Sequence, residues 1–174
     1  MNININIVPL NKIEIDGNSI ELGMTKEQVV EILGQGELSN RHYFYDNELA
    51  IDYDENNTVE FIEFLGGIEG TLHPVIYGKS VFESNADEIF EILKQHNNGE
   101  IDDCENGYSY SFIETSVGIY RTSTPESVQH DIEDMNADGV YDQEYVDEEL
   151  KKANHWATIG IGKENYYKNI ISRF

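Results

Sequence analysis

The 174-residue chain holds one cysteine, three prolines and only 11 Lys plus Arg, and each scarcity excludes something. A single thiol, Cys104, supports no internal disulfide and fits a reducing compartment. Its neighbours Asp103 and Glu105 disfavour the thiolate, so a structural or incidental role is expected and a nucleophilic one is not. Against the few cations stand 34 Asp plus Glu, which gives a formal charge of −23 and a pI near 4.3. Phosphate affinity comes from Lys and Arg displacing counterions, so no partnership with nucleic acid or an anionic membrane surface is expected. The natural macromolecular partner of such a chain is basic. No apolar run approaches the roughly 18 residues that would cross a bilayer. The opening Met1-Asn2-Ile3-Asn4-Ile5-Asn6-Ile7 alternates like a strand and lacks the basic and apolar regions of a secretory signal, which predicts a cytoplasmic location.

Motifs of catalysis are equally scarce. The chain contains no G-x-S-x-G and no phosphate-cradling G-x-x-x-x-G-K-[ST], and Gly160-Ile161-Gly162 lacks the third glycine of a dinucleotide fingerprint. His42, His73, His96, His130 and His155 are scattered without H-x-x-x-H spacing, so no zinc site is expected. Carboxylate pairs such as Asp52 with Asp54 or Asp102 with Asp103 are what so acidic a chain gives by chance. The expectation is a protein without catalytic residues, cofactor or resident metal. Asp134-Met135-Asn136-Ala137-Asp138-Gly139 does match the first half of a calcium loop. Its twelfth position falls on Tyr145 instead of the bidentate acid, so an ordinary acidic turn is expected there.

What is present is enough to fold. Aromatics make up 11% of the chain, as 11 Tyr, 7 Phe and 1 Trp, which is core material that a disordered chain lacks. Ile13, Ile15 and Ile20, around the turn signal Asp16-Gly17, extend the opening strand pattern into a hairpin. Thr25 followed by Gln28 is a capping box, Met24 and Val29 form its hydrophobic staple, and Gly34 and Gly36 stop the helix so begun. Segments 42–45, 49–53 and 58–65, separated by Asp46-Asn47 and Asp54-Glu55-Asn56-Asn57, read as a β-meander.

The pattern then recurs. Gly78-Lys79-Ser80-Val81 lines up with Gly17-Asn18-Ser19-Ile20, and Glu91-Ile92-Leu93 with Glu31-Ile32-Leu33. A second helix is expected from the cap Asn85 to the stop Asn97-Asn98-Gly99, followed by strands 108–112 and 117–121. The expected fold class is α+β: two tandem units of helix plus antiparallel meander, with the helices on one sheet face and a C-terminal helix and strand. The units are 1–67 and 68–125, and Ile32, Leu33, Ile92 and Leu93 should be buried. The remainder, 126–174, begins with ten carboxylates and no Lys or Arg between Glu126 and Glu149, which reads as a solvated linker or helix face. Helical spacing starts at Tyr141, Thr158–Gly162 reads as a closing strand, and Tyr166–Ile171 as a terminal segment docked on the body.

Tyrosines and carboxylates interleave along the meanders. Tyr43, Tyr45, Asp52, Tyr53 and Asp54 in the first unit, and Asp102, Asp103, Tyr108 and Tyr110 in the second, are the candidate partner-binding residues. Tyrosine supplies rigid contact area with a polar tip, and carboxylates steer and pair with a basic partner.

The segment from Ile20 to Gly34, with its Gly23-Met24-Thr25 opening, resembles the G-M-[TS]-x-x-x-V-x-x-x-L-G motif of the BamE (SmpA/OmlA) and beta-lactamase-inhibitory-protein families. That resemblance implies helices on one face of an antiparallel sheet and, for the inhibitory family, a tandem of two such units. The second unit departs from the motif, with Phe82-Glu83-Ser84-Asn85 in its place. By type, a small acidic duplicated module without a reactive centre is similar to the immunity proteins that neutralise bacterial toxins. It implies a protein-binding inhibitor of a basic toxin or enzyme, with a general interaction or structural domain as the alternative.

Overall fold

A computed structural model describes residues 3–103 and 105–173. The opening alternation forms a three-stranded meander, β1 (Ile5–Val8), β2 (Lys12–Ile15) and β3 (Asn18–Glu21), which buries Ile5, Ile7, Ile13, Ile15 and Ile20 on one face. Next come α1 (Lys26–Leu33), β4 (Glu37–Leu38), β5 (His42–Phe44), β6 (Leu49–Tyr53) and β7 (Val59–Phe64). The α1 capping box forms as its sequence requires: Gln28 N–H donates to Thr25 Oγ1 at 3.3 Å, and Thr25 N–H to Gln28 Oε1 at 2.9 Å. A crossover then delivers β8 (Val75–Ile76), parallel to β1, and β9 (Lys79–Ser80). The first sheet is therefore mixed, in the order β3-β2-β1-β8-β9, because the chain returns beside β1 only after the whole first meander.

The second half holds α2 (Ala86–Asn97), β10 (Ile101–Asp102), β11 (Ser109–Phe112), β12 (Val117–Tyr120), α3 (Pro125–Asp138), α4 (Gln143–Ala153), β13 (Thr158–Gly162) and α5 (Tyr166–Ile171). The class is α+β. The large sheet runs β10-β11-β12-β13-β7-β6-β5-β4 and is antiparallel throughout. Strand β13 differs from a closing strand. It lies in the middle of the sheet, pairing Ile159 with Ile119 on one side and with Phe64 on the other. Cys104 lies outside the described residues.

Register sorts the large sheet into two faces. Phe44, Leu49, Ile51, Ile62, Phe64, Ile159, Ile161, Val117, Ile119 and Phe112 share the inner face and one continuous apolar cluster with the first sheet, α1 and α2. Val29 and Ile89 are fully buried. Of the four residues expected inside, Leu93 is buried, whereas Ile32, Leu33 and Ile92 are only half-buried: α2 aims the row Ala86, Ile89, Leu93 and Asn97 inward and leaves Ile92 at its flank, and α1 buries only Val29 fully, with Ile32 and Leu33 packed at the margin of the core. Helix α5 lies on the opposite, outer face, so not every helix shares one side.

The segment from Glu126 to Glu149 is a helical hairpin and not a linker. Thr124 caps α3, accepting from Ser127 N–H at 3.1 Å, with Pro125 at the first helical position. Val128, Val146 and Ala153, with Ile132 and Met135, form a small cluster of their own between α3 and α4. Asp134, Asn136 and Asp138 sit in the last turns of α3, and Gly139 is its left-handed C-cap at φ 69°, so the D-x-N-x-D-G string is a helix end and not a metal loop.

One carboxylate ties the connecting segment to the first meander. Glu48 accepts from Thr71 N–H at 2.8 Å, Leu72 N–H at 2.8 Å and the Thr71 hydroxyl at 3.1 Å. Burial alone would raise its pKa, but these donors outweigh burial and hold it below the ordinary glutamate value. A depressed folded-state pKa contributes stability that is present above the unfolded value, about 4.3, and is lost as pH falls through the folded one. Wild type should therefore exceed Glu48→Gln in stability at neutral pH, with the difference shrinking below about pH 4 in urea titrations across that window.

Candidate interaction surface

Strand alternation places Tyr43 and Asp52 on the outer face, with Asp102 at the opposite edge of the same sheet. Six strand steps separate β5 from β10, about 29 Å at the usual spacing. These residues form no single patch. Tyr53 and Tyr110 point inward. The Tyr53 hydroxyl lies 2.8 Å from His42 Nδ1, while His42 Nε2 is 2.7 Å from the Gln35 carbonyl oxygen. A carbonyl only accepts, so Nε2 carries a proton, and in the neutral ring Nδ1 accepts from Tyr53. Burial, with Glu27 and Asp52 adding to it, pushes the Tyr53 phenol well up. Tyr110 packs on Phe90 at 4.7 Å and edge-on to Trp156 at 6.0 Å. Tyr45, at φ 52° in the β5–β6 turn, packs against the main core, and Tyr108 is half-buried just before β11.

Three of the four candidate acids, Asp52, Asp54 and Asp103, are engaged within the fold. Asp52 pairs with Arg41 at 2.8 Å, and the same guanidinium reaches Glu63 at 2.6 Å, a network on the outer face. Asp54 accepts from Lys163 Nζ at 2.6 Å, from the Thr58 hydroxyl at 2.8 Å, and from Asn56 and Thr58 N–H at 3.0 Å. The Lys163 ammonium is the leading reason its carboxyl lies far below the usual range. Asp103 accepts from Gly107 N–H at 2.7 Å and so closes its own turn. Asp52 and Asp54 thus meet positive charge supplied by the fold itself.

The middle of the outer face is bare backbone. A Cβ on Gly118 would collide with the Tyr167 hydroxyl, on Gly160 with Phe61, and on Gly162 with Tyr166. The absence of side chains lets α5 lay its two tyrosines on the sheet, with Tyr166 stacked on Phe61 at 4.5 Å. Burial drives both phenols up, Tyr166 to about 12 and Tyr167 well above the ordinary value. Beside them a groove of about 270 Å³ opens over Ser109, Ser111, Tyr120 and Thr158. Tyr166–Ile171 docks on the body as its sequence suggests, and the sequence signal for its seat is the period-two glycine pattern Gly160-Ile161-Gly162, which marks a strand face with no side chains.

The charge that the fold does not neutralise lies mainly elsewhere. Lys12, Arg41, Lys79, Lys94, Lys151, Lys152 and Lys163, seven of the 11 cations, are committed to internal ion pairs. Arg121 is buried on backbone carbonyls. The α3–α4 hairpin carries its ten carboxylates without a Lys or Arg between Glu126 and Glu149. Glu149 is an exception to its solvation: it accepts from the Ser123 hydroxyl and from Lys152 at 2.6 Å, and these donors hold its pKa low.

Among the described residues, no group of three or more His, Cys, Asp or Glu is arranged to hold a metal ion, and no helix is long and apolar enough to cross a membrane. No protein-family model matches the chain, and searches of curated proteins and of solved structures give no match either.

Proposed function

We propose that this chain is a non-catalytic binding protein of the immunity or inhibitor type, which neutralises a basic bacterial toxin or enzyme by stoichiometric capture in the cytoplasm. The observation that carries the reading is the charge: 34 Asp plus Glu against 11 Lys plus Arg leave −23, and because each internal ion pair cancels one charge of each sign, the pairing of seven cations leaves that negative excess undiminished. The resulting field repels the fold against itself unless positive charge arrives from outside. It steers a cationic protein chiefly by raising the association rate, and salt screens it over about 8 Å at physiological ionic strength.

The test is co-production with a basic toxin domain encoded beside this chain's gene. Growth rescue, a one-to-one complex and an association rate that falls with salt are expected. A toxin that kills regardless, with no complex at low salt, would sink the reading.

A further inference from the structure

Strands β12 and β13 are antiparallel neighbours, paired from Val117 with Ile161 to Tyr120 with Thr158. A tight turn would join them. Instead the chain leaves at Tyr120, builds α3 and α4 around a small separate cluster, and returns at Thr158. An excursion that the sheet does not require is a common place for function.

The tip of this hairpin breaks two local rules. Val140, Tyr141 and Tyr145 are 64%, 46% and 42% exposed, and with Leu150 they make half of the strongly exposed large hydrophobic residues among those described. Helix α3 also ends against its own dipole. Its last turns hold Asp134 and Asp138 with no basic residue, although a helix C-terminus favours cations. Helix α4, by contrast, obeys the rule at both ends, with Asp142 and Glu144 at its start and Lys151 and Lys152 in its last turn. Between the helices a shallow groove of about 360 Å³ is floored by Met135, Val140 and Tyr145 and rimmed by Asp131, Asp134 and Asp142.

Resting on the binding function proposed above, we infer that this tip docks a basic amphipathic segment of a protein partner. One large apolar side chain of that segment seats between Met135, Val140 and Tyr145. Flanking Lys or Arg meet Asp134, Asp138 and Asp142 and supply the positive charge that the end of α3 lacks. An apolar anchor inside a charged rim is the usual anatomy of a protein interface.

The probe is a labelled synthetic Lys/Leu amphipathic peptide, compared with oligolysine of equal length by fluorescence anisotropy on the full chain. Wild type should bind the amphipathic peptide about tenfold tighter than oligolysine, a difference of one decade in Kd. The double substitution Val140→Ser with Tyr141→Ser removes exposed surface only, so the fold should survive, as circular dichroism will show. It should abolish that preference while leaving oligolysine binding unchanged. Asp134→Asn with Asp138→Asn should weaken both peptides. Tyr120→Ser, on the outer sheet face, should change neither.

Absence of amphipathic-peptide binding, equal affinity for the two peptides, or an unaffected Val140/Tyr141 variant overturns the inference. So does loss of binding with Tyr120→Ser alone, which would move the site to the sheet. If a toxin is still captured in a salt-dependent manner by the Val140/Tyr141 variant, the hairpin assignment fails while the binding function stands.

Discussion

Truncating Trp156 to alanine is expected to cost about 3–5 kcal/mol, the range for removing a buried tryptophan. The indole is 2% exposed and joins parts of the chain that are distant in sequence. Its Nε1–H donates to the Ala86 carbonyl oxygen at 2.9 Å, and Ala86 N–H donates back to the Asn154 carbonyl at 2.8 Å, so α2 begins on the segment that follows α4. Arg121 lies over the ring at 4.8 Å and Tyr110 meets it edge-on. Alanine would leave a cavity where α2, β11 and the base of the hairpin converge, and a close-packed interior relaxes only partly into such a gap. Trp156→Phe keeps most of the apolar volume and loses the N–H donor, so about 1–2 kcal/mol is expected. Urea unfolding followed by far-ultraviolet circular dichroism distinguishes the two variants. Equal losses would mean that the indole hydrogen bond, and not the packed volume, holds the junction.

Legibility in the sequence followed the range of the interaction responsible. The α1 box of Thr25 and Gln28, the Asn85 cap of α2 and the first meander were readable because caps and turns are decided within a few residues. Helix α3 had local signals too, in Thr124-Pro125 and the spacing of Val128, Ile132 and Met135. Its density of carboxylates lowers the mean hydropathy and makes the segment resemble a linker. The central place of β13 depends on pairing with Phe64 and Ile119, which no local pattern encodes. The same holds for the candidate site. Asp52 and Asp54 read as free surface charge because Arg41 stands 11 residues from one and Lys163 109 residues from the other, and only the folded sheet brings each pair together.

Removing the Arg121 guanidinium should loosen the hairpin at its root. The side chain is 7% exposed; Nε donates to the Gly107 carbonyl at 2.9 Å and Nη1 to the Ala153 carbonyl at 2.7 Å. Ala153 ends α4, so the cation sits at the negative pole of that helix, with the Trp156 face as its second support. Burying a cation without a carboxylate costs desolvation, and deleting it would recover that cost. The deletion also strands two buried carbonyls and forfeits two charge-assisted bonds of about 1.5–3 kcal/mol each. The second effect is larger, so Arg121→Ala is expected to lose about 2–4 kcal/mol. Arg121→Lys keeps the charge but not the fork that serves both carbonyls, and should lose roughly half as much. Amide exchange should quicken across 125–153 before it does in the sheet, because without this tie the hairpin is held only by its small cluster and by exposed or partly exposed polar contacts such as Ser123 with Glu149 and Lys151 with Glu69. Uniform acceleration throughout the chain would instead place Arg121 in the global core. Unchanged exchange would show that Ser123 with Glu149 and the buried Ala153 suffice to seat the helices.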